Sequence, residues 1–428
     1  VIFLFQCQTL DNFNKKITYV ITLDTDTQLV LYSAAKLIGA IAHPMNQAVL
    51  AADGKSVVSG YAIMQPRINV DIEVTNKSKY AQLFSGLGGF DVYTTANFEL
   101  YQDTFNEGSF VGKGIYNLHI FQQVLSGTFP QNLILSHDLI EGNYLRCGII
   151  NDVELFDDSP SNYLEDAKRH HRWTRGDWQI IQWLKSKVRN EKGQRVRNPI
   201  TALGKWKIFD NLRRSVMSLS LLLLLFYGFT VGKYYPLAYL LVVLLVVMTP
   251  IFFYLISRLI YKRKYSRFLR YYLSLMRGIG VVVNKSIIVL SLLPKEALWY
   301  LDAIVRSLYR MFISKKNLLN WITSEDAGKS TKNTLKSYLW SFKTNFIVAI
   351  LFVGLTWHFK SETDYWNVVL AGVIASLWCF APFLMYYLGK PLQTDVKRLN
   401  QNEKEEIKEV AFRTWNYFND FITEENNY

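Results

Sequence analysis

Two aspartates one residue apart, Asp24 and Asp26, have the type and spacing that most clearly suggest chemistry. They follow residues 17–23, an apolar stretch rich in β-branched side chains that is typical of a buried strand. Carboxylates at the carboxyl end of such a strand point into the crevice where α/β sheets bind ligands. Hard divalent cations often take one or two carboxylates together with substrate phosphates. The D-x-D pair therefore predicts a metal–diphosphate site, and a solvated turn is the competing interpretation.

A second acidic position lies within residues 135–142, LSHDLIEG. Asp138 follows an apolar run and a Pro-Gln-Asn turn, which predicts a helix start beside the same crevice. A carboxylate there could accept the proton of an acceptor hydroxyl within hydrogen-bond reach. Helix capping by Ser136 or Asp138 is the alternative.

Residues 169–179 combine three arginines and two tryptophans. Arg172 or Arg175 could clamp a diphosphate with a planar guanidinium, and Trp173 could stack on a sugar ring. The alternative is an interfacial helix whose Trp and Arg side chains face lipid headgroups.

Around these candidates, residues 1–200 alternate between strand and helix patterns. This alternation favours an α/β fold with a mostly parallel sheet and a site at the strand ends. Besides the strand at 17–23, we expect strands at 61–65, 112–116 and 146–155 and helices at 29–42, 117–125 and 163–184.

Composition separates this part of the chain from the remainder. Half of the 428 residues are hydrophobic and 15% are aromatic, which suggests membrane segments. Residues 1–200 hold 19 Lys and Arg against 20 Asp and Glu, so the net charge of +13 comes from the apolar remainder. A surplus placed there fits lipid headgroups, and no nucleic-acid partner is expected. The three cysteines are widely separated and predict neither a disulfide framework nor a zinc site.

Long stretches without charge predict four transmembrane helices and a lipid bilayer as partner. They form two hairpins, 215–257 and 337–389, and Lys343 lies near enough to one end to reach the interface. Basic residues before 215 and between 258 and 277 predict that both termini and the catalytic domain are cytoplasmic, at the inner membrane.

The stretch 258–336 between the hairpins is ambiguous. Residues 278–294 are apolar but short and hold Lys285 in the middle. We expect this stretch to form amphipathic helices at the cytoplasmic interface. A fifth span is the alternative, and it would send the C-terminus outside.

The order of these features is D-x-D, a later acidic site, an Arg-Trp pair and then membrane helices. It resembles processive membrane glycosyltransferases of the cellulose- and hyaluronan-synthase type, with their D-x-D, T-E-D and Q-x-x-R-W motifs. The chain more closely resembles the glycosyltransferase domain of cyclic β-1,2-glucan synthases, strongly over about residues 17–310. The stretches that carry this resemblance are 19–27 (YVITLDTDT), 65–67 (QPR), 101–103 (YQD), 107–114 (EGSFVGKG), 135–142, 172–179 (RWTRGDWQ) and 205–214 (KWKIFDNLRR).

The resemblance implies a GT-A-type, Rossmann-like glycosyltransferase domain in residues 1–200. It implies a membrane-bound, inverting transfer of glucose from UDP-glucose to a growing β-1,2-glucan, with Mg²⁺ or Mn²⁺ as cofactor. The site residues that it implies are Asp24 and Asp26 for the metal, Asp138 as general base, Arg172 and Arg175 for the donor diphosphate, and Trp173, Asp177 and Glu107 for the acceptor.

Some features depart from these families. Arg169 replaces the Gln of Q-x-x-R-W, and His137 replaces the middle acid of T-E-D. Such transferases bind uridine with strands upstream of the D-x-D, whereas only about twenty residues precede it here. We therefore expect an N-terminally truncated domain that is inactive alone, which micromolar binding of UDP-glucose would refute.

The remaining segments complete the predicted organisation. We expect an interfacial helix at 201–214, and residues 390–428 as a cytoplasmic linker to downstream glycoside-processing domains, which would be further partners. A related processive synthase that makes another β-linkage is the main alternative function. A transporter or membrane scaffold is a further alternative, although it would require ionisable residues inside the spans.

Overall fold

The computed structural model describes residues 17–84, 94–95, 98–232, 235–260, 268–320, 332–359, 365–392 and 399–423. The part before residue 200 is an α/β domain. Its strands are β1 Tyr19–Thr22, β2 Gln28–Leu29, β3 Val49–Leu50, β4 Val57–Ser59, β5 Ile63–Val70, β6 Thr94–Thr95, β7 Phe98–Glu99, β8 Gly114–Asn117, β9 Cys147–Asp157, β10 Lys187–Arg189 and β11 Arg195–Arg197. Its helices are α1 Ser33–Ala42, α2 Ile72–Thr75, α3 Lys79–Phe84, α4 Leu100–Phe105, α5 Leu118–Leu125, α6 Asp138–Leu145 and α7 Tyr163–Gln179.

The central sheet is mixed, with the strand order β1-β8-β5-β9-β2. Strands β5 and β9 pair in parallel, whereas β1–β8, β8–β5 and β9–β2 pair antiparallel. The prediction of a mostly parallel sheet is therefore wrong, because β8 runs against both of its neighbours. The other strand pairs, β3–β4, β6–β7 and β10–β11, are separate two-stranded ribbons.

Most of the predicted local elements are confirmed. Strands β1, β5, β8 and β9 and helix α5 overlap the segments predicted for them. Helix α1 begins only at Ser33, because Gln28 and Leu29 pair with β9 instead. Helix α7 ends at Gln179 and a short 3-10 turn, Ile181–Leu184, takes up the rest of the predicted helix.

Apolar side chains cover both faces of the central sheet. One set includes Leu37 of α1, Met64, Ile115 and Val153. A larger set includes Ile63, Ile140, Trp183 and, from beyond residue 200, Ile208 and Leu212. The helix that contains Ile208 and Leu212 is therefore anchored in the core of the α/β domain.

Helices dominate the chain after residue 200. They are α8 Ala202–Thr230, α9 Pro236–Ile260, α10 Phe268–Tyr309, α11 Leu335–Ser341, α12 Lys343–Phe359 and α13 Tyr365–Leu388. Buried side chains of these helices, such as Leu225, Phe229, Phe352 and Trp378, form a common core. Large apolar side chains point outward, among them Leu223, Leu245, Phe253, Ile350 and Val373. Apolar side chains on both the inside and the outside are expected of helices surrounded by lipid.

Among the described residues, four helical segments could cross a bilayer by length and composition: Ala202–Thr230, Pro236–Phe253, Tyr271–Ser314 and Tyr365–Leu388. Helices α11 and α12 together are also long and apolar enough, but they are bent by 48° relative to each other. If this bent pair is a single span, the described residues hold five candidate spans. Lys295 donates to the carbonyl of Ser341 at this bend, over 2.7 Å. An inserted side chain is a usual cause of a helix kink.

Most of the described part of 258–336, the stretch predicted to form interfacial helices, is one long helix, α10. Helix α10 contributes Leu293 and Ala297 to the core of the bundle and Ile288 and Leu292 to a second cluster that includes Tyr163 of α7. It therefore packs against the α/β domain as well as the other spans. Its length and apolar character fit the five-span alternative as well as the interfacial one.

The chain divides into two compact units, Val1–Pro391 and Leu392–Tyr428. The second unit contains helix α14, Gln401–Phe421, which begins with a capping box formed by Asn400 and Glu403.

Candidate active site

The topology brings three charged side chains to one edge of the central sheet. Strand β1 ends at Thr22, which pairs with Gly114, the first residue of β8. Asp24 therefore follows the end of β1, and Lys113 comes just before the neighbouring start of β8. Strand β9 ends at Asp157. The loop from β1 to β2 passes from the first to the last strand in the sheet, and Thr27 donates to Asp157 over 2.6 Å.

Lys113 binds two of the carboxylates at this edge. Its ammonium lies 3.1 Å from Oδ2 of Asp24 and also hydrogen-bonds Asp157. Burial by itself would lower the pKa of Lys113, but the carboxylates of Asp157 and Asp24 outweigh it and raise that pKa. Lys113 is therefore a fixed positive charge inside an acidic cluster. We call Asp24, Asp26, Lys113, Asp138, Asp157 and Arg172 the strand-end cluster.

Asp26 is the second acid of the D-x-D. Desolvation is the main cause that raises its pKa; Lys113 opposes this effect, and Asp157 and Asp24 add to it. Within the described residues, no group of three or more His, Cys, Asp or Glu side chains could hold a metal ion. Asp24 and Asp26 nevertheless fit the pattern in which Mg²⁺ takes two carboxylates and completes its shell with substrate phosphates and water.

Asp138 is the first residue of α6, as the sequence predicts. Its carboxylate accepts a hydrogen bond from Ser136 over 2.9 Å, and no side chain caps the helix. A Cβ added at Gly112, whose φ is +92°, would lie 3.1 Å from Oδ1 of Asp138. Glycine therefore lets the main chain before Lys113 approach this carboxylate closely. Burial raises the pKa of Asp138, and Asp24 adds to that effect.

Glu141, one turn further along α6, was not among the predicted site residues. Its side chain is 17% exposed and lies 3.8 Å from Nδ1 of His137. Burial, and then the charge of Asp138, raise the pKa of Glu141 to about 7. The acidic cluster thus has a titratable neighbour in the physiological range.

Arg172 and Trp173 lie in helix α7, which is capped by Asn162. Desolvation lowers the pKa of Arg172, while Asp24, Asp26 and Asp138 oppose that effect. The guanidinium therefore lies within electrostatic reach of all three predicted carboxylates. Trp173 is 41% exposed, and the guanidinium of Arg169 lies 4.8 Å from its ring centroid.

The predicted diphosphate ligand Arg175 is not brought to these carboxylates. Its guanidinium is buried and donates to the carbonyl of Asn320 over 2.9 Å. The charges that act on it are those of Arg310, Arg306 and Asp302. Arg175 thus attaches helix α7 to the segment after α10, and its predicted contact with the donor stays untested.

The two other predicted acceptor residues also have protein partners. Asp177 accepts a hydrogen bond from Asn211 of α8 over 3.0 Å, and burial raises the pKa of Asp177 to about 6. Glu107 forms a buried ion pair with Lys207 of α8, 3.1 Å long. The Lys207 ammonium also donates to the carbonyl of Gly108 over 2.7 Å. Both acids connect the α/β domain to the first membrane helix, and their predicted acceptor contacts stay untested.

Lys113 and Asp157 are the site residues that the sequence prediction missed. Asp157 follows the predicted strand 146–155 by two residues and ends β9 in the structure, so the argument applied to Asp24 could have identified it. Lys113 lies in the EGSFVGKG stretch just before β8, but only the strand order shows which acids it meets.

An α/β domain with an acidic cluster at its strand ends, joined to a bundle of apolar helices, defines a multi-pass membrane protein. The architecture is consistent with a glycosyltransferase domain followed by a helical membrane region.

No family model matches the chain. The cyclic beta-(1,2)-glucan synthase NdvB of Rhizobium meliloti (strain 1021) is 32% identical over 422 residues. The match covers 96% of this chain but only 14% of NdvB. The chain is thus a relative of that segment of a cyclic β-(1,2)-glucan synthase, as the motifs predict.

Proposed function

We propose that this chain is the transferase part of a membrane-bound, inverting glycosyltransferase. It would transfer glucose from UDP-glucose to a growing β-1,2-glucan in cyclic β-1,2-glucan synthesis. One observation carries the proposal: Arg172 of α7 lies within electrostatic reach of Asp24 and Asp26, which follow β1, and of Asp138, which begins α6. The relationship to NdvB supports the choice of product.

Asp138 is the proposed general base. Its burial raises its pKa, so its carboxylate is a better proton acceptor than an exposed aspartate would be. It would take the proton of the acceptor's 2-hydroxyl while that oxygen attacks the anomeric carbon of the donor. The bond to the nucleotide breaks on the opposite side, so an α-linked donor gives a β-linked product.

The leaving diphosphate needs positive charge as that bond breaks. Arg172 supplies a fixed guanidinium beside the D-x-D and can bind phosphate oxygens through paired N–H groups. Asp24 and Asp26 would hold Mg²⁺ or Mn²⁺, which when bound stabilises negative charge on the diphosphate. Trp173, which is partly exposed in the next position of α7, would pack against the acceptor sugar.

The membrane region supports the proposed location. Helix α8 continues from the core of the α/β domain into the bundle, so the transferase site is held near the bilayer surface. The basic stretch 258–277 supports a cytoplasmic location for this side, at the inner membrane. Downstream glycoside-processing domains of a longer protein would act on the glucan afterwards.

Labelled UDP-glucose tests the proposal directly. Membranes that contain the full protein would be incubated with the donor and Mn²⁺, comparing wild type with Asp138→Asn. We expect incorporation to fall by about 10²- to 10⁴-fold, the usual contribution of positioned proton transfer. Asp152→Asn, an exposed aspartate of β9, is the matched control and should keep wild-type activity. Unchanged incorporation with Asp138→Asn would exclude this base.

Linkage analysis of the labelled product identifies the glycosidic bond that is formed. A 2-linked glucan supports the proposal, whereas another β-linkage would assign the chain to a related polysaccharide synthase.

A further inference from the structure

The Lys113 ammonium has two carboxylate partners in very different surroundings. Asp157 is buried, with a side chain 5% exposed, and it also accepts the hydroxyl of Thr27. Asp24 is open to solvent, with a side chain 58% exposed, and lies 3.1 Å from the ammonium. Lys113 itself is 8% exposed.

These surroundings make the two contacts unequal in strength. A charge that is buried with its partner is held firmly, because separating the pair leaves an uncompensated charge in the interior. An ion pair with a solvated carboxylate contributes little and exchanges readily. The Lys113–Asp157 pair therefore anchors the ammonium, while the contact with Asp24 can be given up.

Asp24 is also a proposed ligand of the divalent cation, so the same carboxylate has two cationic partners. A metal ion alone would have to displace the ammonium from Asp24 and remain beside a positive charge. A metal ion that arrives with a diphosphate brings compensating negative charge.

We propose that Lys113 is an internal counter-cation of the strand-end cluster that makes metal binding depend on the diphosphate. The inference rests on the proposed function, because it takes Asp24 as a metal ligand. It assigns Lys113 a positioning role: the ammonium neutralises Asp24 before the donor binds and suppresses occupation by metal alone. By linkage, metal and nucleotide then increase each other's affinity by the same factor.

Mn²⁺ binding to the full chain, measured by electron paramagnetic resonance with and without UDP, tests this role without any turnover. Lys113→Met removes the ammonium, and we expect it to raise the affinity for Mn²⁺ alone by about two- to fivefold. The factor by which UDP strengthens Mn²⁺ binding should fall. Unchanged or weaker binding of Mn²⁺ alone by a folded variant would overturn the inference.

A second variant guards against misfolding and against a general charge effect. Lys113→Met leaves Asp157 buried without its cation, whereas Lys113→Met with Asp157→Asn removes both charges and keeps an acceptor for Thr27. The net charge of this double variant equals that of wild type. A tighter affinity for Mn²⁺ alone in the double variant supports competition at Asp24, and wild-type affinity overturns it.

Two controls separate this inference from the proposed function. Lys77→Met removes the exposed ion pair between Lys77 and Asp158, whose charged atoms lie 3.0 Å apart. Asp158 directly follows Asp157 of the cluster, yet this variant should leave Mn²⁺ binding unchanged. Asp24→Asn should weaken Mn²⁺ binding strongly. If Asp24→Asn has no effect, the proposed metal site itself is wrong. If Asp24→Asn weakens binding but neither Lys113 variant changes it, the metal site stands and the counter-cation role is wrong.

Discussion

Arg172 and Arg175 lie three residues apart on helix α7, yet they belong to different regions of the molecule. Arg172 acts on Asp24, Asp26 and Asp138 in the strand-end cluster. Arg175 donates to main-chain carbonyls of the segment after α10 and accepts Ser307 at its own carbonyl, 3.2 Å away. Residues 169–179 thus contribute both to the proposed site and to the attachment of helix α7 to α10 and the segment after it.

The contacts that attach the α/β domain to the membrane helices form a distinct region, which we call the junction. It consists of the Glu107–Lys207 pair, Arg175 with its carbonyl partners, and the His171–Asp302 pair. Each charge here has a partner from a membrane helix or from the segment after one. In the strand-end cluster, in contrast, several acids lie together and burial raises the pKa values of Asp26, Asp138 and the neighbouring Glu141. Breaking a buried pair of charges destabilises the fold, whereas crowded carboxylates oppose folding and are typical of functional sites.

The largest stability effect should come from the buried pair of the junction. Lys207 is 3% exposed and pairs with Glu107 over 3.1 Å. Lys207→Met leaves the Glu107 carboxylate buried without its cation, so we expect a loss of about 3–5 kcal/mol in the free energy of unfolding. Thermal unfolding of the chain in detergent would measure it.

Lys207→Met combined with Glu107→Gln is the matched control. It removes both charges and should recover most of the lost stability. A double variant no more stable than the single one would mean that the unpaired Glu107 carboxylate is not the cause of the loss.

Removing the charge of Glu141, which neighbours the strand-end cluster, should have the opposite effect and increase stability. Glu141 has a folded-state pKa of about 7, above the usual value of 4.5, so the folded chain keeps a proton that the unfolded chain loses between those values. Stability therefore falls as the pH rises through this window. We expect Glu141→Gln to be more stable than wild type at pH 8, by up to about 3 kcal/mol, and equal to it near pH 4.5. Melting temperatures across this range check the prediction, and a gain that does not vary with pH would contradict it.

The two arginines allow the sharpest comparison. Arg172→Ala should weaken UDP binding in the presence of Mn²⁺ by about ten- to a hundredfold, the loss of a hydrogen bond to a charged group, with little change in melting temperature. Arg175→Ala should lower the melting temperature and leave the affinity for UDP near that of wild type. Equal losses of UDP affinity in both variants would show that the two regions are not separable.

Local sequence patterns were sufficient to predict several single elements of the site. Asp24 and Asp26 follow a strand, and Asp138 begins a helix, because strand periodicity and helix-start signals depend on a few neighbouring residues. Long uncharged stretches likewise indicated the apolar helices α8, α9 and α13, but not the candidate span Tyr271–Ser314, which carries several charges.

What the sequence did not reveal depends on contacts between distant residues. The direction of β8 is not encoded in its own pattern, so a mostly parallel sheet was the wrong expectation. Lys113 meets Asp157 only through the strand order. Arg172 and Arg175 are chemically identical, and only the packing of α10 and the segment after it against α7 separates them.

The smallest effect should come from the exposed part of the junction, the pair between Nε2 of His171 and Oδ2 of Asp302, 2.8 Å apart. Asp302 is 46% exposed and is shared with Arg306, which lies 2.6 Å from its other oxygen. Asp302→Asn keeps an acceptor for His171 while removing the charge, so we expect a loss of at most about 1 kcal/mol that shrinks further in high salt. Melting temperatures at low and high salt measure it. A loss as large as that of Lys207→Met would mean that burial does not set the strength of the junction. A change in UDP affinity would show that α10 also positions Arg172 and Trp173 through the neighbouring His171.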